Sequence, residues 1–210
     1  MEVEAAEALF TGADGDYRFA RWGRPIVPVV FGVDDATLPI VKGAIEAVVA
    51  TAGHKMAETD PELGANLMLF FLAEWDELLP VPRLEEMLPD LPSLVARLNA
   101  AGAYQYRTFR SDEDGAIKAC FAFVRLAGDM AAQPAEAVAL GQAVGAMLTW
   151  AGDAFRARPI LAADPETGRM VVRPDIAAVL RAAYDPMMPA VSQDTAHALR
   201  LAARIPAGLS

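Results

Sequence analysis

Asn66-Leu67-Met68-Leu69-Phe70-Phe71-Leu72-Ala73 is the stretch on which the reading of the fold turns. It is short and continuously apolar after Asn66, bounded by Gly64 and Glu74, which predicts a strand covered on both faces. Upstream, Arg24-Pro25-Ile26-Val27-Pro28-Val29-Val30-Phe31-Gly32 is rich in β-branched residues. Pro28 has no N–H to donate, so this second strand takes an edge position or starts irregularly. Between the two, Leu38, Val41, Ile45, Val48, Val49 and Ala52 recur at helical spacing as far as Gly53, with Asp34 or Asp35 placed to cap. Strand, helix, strand in that order favours parallel neighbours joined by a right-handed crossover.

Working outward, Pro80, Pro82, Pro89 and Pro92 chop the chain, and a short helix is expected over 92–99. Segments 104–110 and 116–126 flank Ser111-Asp112-Glu113-Asp114-Gly115, whose Asp-Gly pair predicts a hairpin. In its second arm Ile117, Ala119, Phe121 and Phe123 share one face by the period of two. Residues 133–155 are apolar nearly all the way round, as a helix enclosed by the core requires. Asp164-Pro165-Glu166-Thr167-Gly168 is a turn, Pro174 opens another helix, and Ser192 is expected to cap a last one over 193–204. Residues 1–16 read as an N-terminal helix or arm and 17–210 as a single α+β domain. That domain is a mixed β-sheet packed on a buried central helix, with additional helices.

The 210 residues are 54% hydrophobic, with 18 Lys+Arg against 28 Asp+Glu and a net charge of −10. That acidic excess, with no basic cluster to offset it, excludes a phosphate-backbone partner, so no nucleic acid is expected. The uncharged run 137–152 spans 16 residues, short of the roughly 20 that cross a bilayer, so no transmembrane segment is expected either. The N-terminus is acidic and carries no export signal. A cytoplasmic location is expected if the sequence is full length, a periplasmic one if a signal peptide was removed.

Groups able to do chemistry are sparse. The two histidines, His54 and His197, are far apart in sequence and in no metal-ligand pair. No G-x-S-x-G elbow is present. The lone Cys120 lies in an apolar strand and reads as a core residue. Gly141 and Gly145 suit close approach of another backbone to the central helix. Asp112, Glu113 and Asp114 read as a solvated hairpin tip. Glu74, Trp75, Asp76 and Glu77 follow the buried strand, where clefts often lie.

The order of elements resembles zincin-like metalloprotease domains, and more closely a bacterial family of uncharacterised zincin-like proteins. The matching pieces are Arg21-Trp22 with Pro25-Ile26, Ala65-Asn66-Leu67, Cys120, Gln142-Ala143-Val144-Gly145, and Ala183-Tyr184-Asp185-Pro186 with Met188-Pro189. In zincins the central helix carries H-E-x-x-H, two ligands on one face with a glutamate base between them. Setting Gln142 at the second histidine places Val138 at the first and Ala139 at the glutamate. The resemblance therefore implies a degenerate member with no catalytic residues, no metal ligands and no cofactor. It would be a catalytically inactive binding or scaffold protein whose partner is a protein or peptide of unknown identity. Its candidate cleft lies beside the central helix near Trp75, Gln142, Trp150 and Tyr184. The alternative is an atypical hydrolase that draws on Glu74, Asp76 or Asp153 with His54 or His197.

Overall fold

The run Leu67–Leu72 is a strand with a neighbour on each side, as its apolar composition requires. The computed structural model describes residues 1–156, 158–206 and 208. In chain order the elements are α1 (Val3–Ala8), β1 (Phe19–Ala20), β2 (Pro28–Phe31), α2 (Leu38–Thr51), β3 (Leu67–Leu72), α3 (Leu84–Met87), α4 (Leu91–Ala100), β4 (Gln105–Ser111), β5 (Ile117–Arg125), α5 (Ala135–Met147), β6 (Leu161–Ala163), β7 (Met170–Val172), α6 (Pro174–Ala183), β8 (Val191–Ser192) and α7 (Ala196–Ala202). The main sheet has the order β2-β3-β5-β4, in which β2, β3 and β5 are parallel and β4 runs antiparallel at the edge. The class is mixed α+β. Among the described residues no helix is long and apolar enough to cross a membrane.

Pro28 opens β2 at the opposite edge, where its missing N–H leaves no ladder bond unmade. The sheet separates two apolar layers. Beneath it, α2 and α5 pack with Val41, Ile45, Val48, Cys120, Ala122, Val124 and Val144. Residues 1–16 join this layer through Ala6, Leu9 and Phe10. Above it, Trp75, Leu91, Leu94, Val95 and Leu98 cover Phe70, Phe121 and Phe123. A row of rings crosses all four strands on this upper face, Phe31 on Phe70 at 4.7 Å, Phe70 on Phe123 at 4.9 Å and Phe123 on Tyr106 at 6.2 Å. The rings are direct cross-strand neighbours in the ladder, so the row also fixes the register.

Several expectations need correction. Ile117 does not share a face with Phe121 and Phe123, because Arg110 pairs with Ala119 while Ser111 pairs with Ile117. The extra residue, Lys118, is a bulge that turns Ile117 down into the lower layer. The central helix ends at Met147 instead of 155, since Leu148 is extended (φ −139°, ψ 161°) and bridges to Arg21. The last helix begins at Ala196, because Ser192 pairs with Phe19 as part of β8. Gly145 admits an arginine side chain where a backbone was expected, as described below, and Gly141 has nothing close to it.

Candidate functional site

Helix α5 lies under the sheet and carries the three side chains set at the zincin positions, Val138, Ala139 and Gln142. Ala139 is wholly buried. Val138 borders a cavity of about 360 Å3 at the carboxyl ends of the parallel strands, with Val33, Val41, Phe71, Leu126 and Met130. The one charged group there, Asp34, already accepts the Thr37 N–H at 2.7 Å, and Thr37 and Gln133 are the other polar side chains on the wall. Gln142 is 3% exposed and turns toward the edge strand.

Gln142 is the centre of a three-residue relay. Arg107 Nη2 donates to Gln142 Oε1 at 2.8 Å, and Gln142 Nε2 donates to Gln105 Oε1 at 2.7 Å. Because a guanidinium can only donate, the orientation of both amides follows from it. Gln105, Arg107 and Phe109 lie on the lower face of β4, opposite Val124, Ala122 and Cys120. The guanidinium fills the slot left by Gly145, where even a methyl group would overlap it. Arg107 Nε is sealed from solvent without a partner. Nη1 also has no protein partner but is not sealed, in a residue that is half-buried. Among the described residues Arg107 forms no ion pair. Burial lowers its pKa from the usual arginine value, and the neighbouring Cys120 thiol is pushed up by burial to about 12, so it is neutral.

The outer edge of β4 faces no other strand. Arg125 N–H donates to the Tyr104 carbonyl at 2.8 Å, which sets the alternation of the antiparallel ladder. Tyr106 and Thr108 therefore bond inward to β5, and the N–H and C=O groups of Gln105, Arg107 and Phe109 point outward, with the Phe109 carbonyl accepting from Arg110 Nη1 at 3.4 Å. The residues that open their main chain to the edge are the same ones that set their side chains against α5.

The four residues expected to line one cleft are not brought together. Trp75 is in the upper layer, on the other side of the sheet from α5, with its Nε1 bonded to the Ala103 carbonyl at 2.9 Å. Trp150 and Tyr184 gather instead at the end of α5. Trp150 Nε1 donates to the Val144 carbonyl at 2.9 Å, Trp22 Nε1 to Ala146 at 2.8 Å and Tyr184 OH to Met147 at 2.8 Å. A helix leaves its last four carbonyls without internal partners, and here aromatic donors supply three of the four, all but that of Gly145. Trp150 also stacks on Phe10 at 5.3 Å.

The histidines are apart as well. His54 Nε2 bonds the Arg24 carbonyl at 2.9 Å and its ring lies 4.9 Å from that of Tyr184. His197 Nδ1 pairs with Tyr17 OH at 2.7 Å. Burial lowers both pKa values, His197 to about 4. Glu74 and Glu77 form a capping box, and Asp76 accepts from Asn99. Neither histidine is among their partners. Among the described residues no three His, Cys, Asp or Glu side chains are grouped to hold a metal ion.

Sequence reasoning missed Gln105 and Arg107. The signal was an arginine on the alternation Gln105, Arg107, Phe109, where the pattern calls for an apolar residue, together with a glycine on the facing helix. No family model, curated protein or solved structure matches this chain.

Proposed function

We propose that the protein is a catalytically silent, zincin-like binding domain that receives an extended segment of a protein or peptide along β4. The observation that carries this reading is the free outer edge of β4, seven residues long, bordered by the side-chain donors of Gln105 and Arg107. Strand addition to such an edge gains affinity from main-chain bonds and selectivity from pockets beside it. The residue types on α5 support the silent part of the reading, since Val138 and Ala139 supply neither ligand nor base and Gln142 is committed to its relay. Selection of phage-displayed heptapeptides on the purified protein tests the proposal, followed by synthesis of the best binder with alternate amides N-methylated. Amide shifts should map binding to Gln105–Ser111, and one methylation phase should weaken it by about ten-fold or more while the peptide stays uncut. Binders that map elsewhere, or that tolerate both phases equally, would sink it.

A further inference from the structure

The relay leaves a particular kind of capacity unused. Gln142 spends its oxygen on Arg107 and its nitrogen on Gln105, and Gln105 spends its oxygen on Gln142. What remains toward solvent is the Gln105 amide nitrogen and the Arg107 guanidinium, groups that donate. Among the described residues no carboxylate pairs with the guanidinium, in a chain whose net charge is −10. Acceptors around it are a neutral amide and a neutral thiol. A half-buried cation left in this state costs stability that an anion would restore.

The geometry of the edge says where the anion comes from. A strand added to β4 places the residue directly opposite Arg107 on the same face of the sheet, with the two Cβ atoms about 5 Å apart. That face is the one against α5, on which the guanidinium lies. We infer that the strand received along β4 carries an acidic residue opposite Arg107, whose carboxylate takes the free guanidinium N–H groups. The inference rests on the edge-binding reading above. The shared chemistry is a carboxylate, and a free one in solution is the competing source.

Two N-acetylated, C-amidated heptapeptides of alternating Thr and Val, with Glu or Gln at the centre, separate the possibilities, with glutarate as a third probe. On the wild-type protein the Glu peptide should bind about 10- to 100-fold more tightly than the Gln peptide. It should also shift the Arg107 Nε–H resonance, which glutarate alone should leave in place. In the Arg107→Met, Gln142→Leu protein the two peptides should bind equally. Arg107→Lys, which keeps a charge but not the fork, should reduce the preference by about three-fold or more and serves if the double variant does not fold. Equal binding of both peptides to wild type would overturn the acidic-residue inference and leave the edge reading standing. Failure of both peptides to bind would overturn both. A shift of Arg107 by glutarate equal to that by the Glu peptide would make a free carboxylate the ligand and overturn the strand-borne one.

Discussion

One buried and one half-buried charge in this molecule are partnered in opposite ways. Asp60, 4% exposed in the loop that precedes β3, accepts the N–H groups of Glu62 and Leu63 at 2.9 Å each and the Asn66 amide at 3.0 Å, with Arg24 Nη1 at 3.3 Å. Arg107 has one bond, to an amide oxygen. Asp60 closes a network in which Asn66 also takes the Val27 N–H at 2.8 Å and donates to Pro25, so it joins the entrances of β2 and β3. Burial alone does not separate the two. Asp60 has its partners in place, whereas Arg107 Nε is sealed without one, as are Arg21 Nε and Arg125 Nε.

Asp60→Ala strands the Glu62 and Leu63 N–H groups and the Asn66 amide, and should cost about 3 kcal/mol in urea unfolding. A loss under about 1 kcal/mol would show that the loop holds without it. Acid titration reads the same network. Burial alone would raise the Asp60 carboxyl, but the Leu63 and Glu62 N–H groups, the Asn66 amide and Arg24 bring it to about 2. The unfolded carboxyl titrates near 4, so this group's contribution of about 2 kcal/mol is present above that pH and lost as the pH falls toward 2.

His197 acts in the window above that one. Burial, then the charge of Arg200, lowers it to about 4 against 6.5 in the unfolded chain. Protonation therefore favours the unfolded chain, and stability falls by about 3 kcal/mol as the pH drops from about 6.5 to 4. His197→Gln should flatten that limb of the curve, and a slope that persists would belong to another group. Tyr184→Phe removes the donor to the Met147 carbonyl and should cost about 1–2 kcal/mol, read as a lower thermal midpoint. The smallest effect sharpens the comparison most. Arg107→Met with Gln142→Leu should leave stability within about 1 kcal/mol of wild type, on either side. A loss above about 3 kcal/mol would make Arg107 a structural residue like Asp60.

Much of the sheet was legible before the structure. The uninterrupted apolar run of β3 declared a strand buried on both faces, Pro28 pointed to an edge or an irregular start and is at the edge, and Asp114-Gly115 declared the hairpin between β4 and β5. What escaped depends on partners distant in sequence. The end of α5 is set by Trp22 and Tyr184, more than 30 residues away on either side, and the apolar run past Met147 carries no sign of them. The flip of Ile117 comes from one unpaired residue, which alternation cannot register. The candidate site was half legible. Gln142 stood out as an amide in an apolar helix, but its meaning lies with Gln105 and Arg107, whose pairing with it across about 35 residues no local pattern states.

The strand order has a consequence in time. β3 pairs with β5, so that Leu67 meets Cys120, while β4 lies between them in sequence. During synthesis the run Leu67–Leu72 has no inner neighbour until the ribosome has delivered Arg125, and the β4–β5 hairpin is the local unit able to form beforehand. Over that interval an uncharged, strand-prone hexamer is exposed, and it is the segment of this chain where nascent-state aggregation would begin.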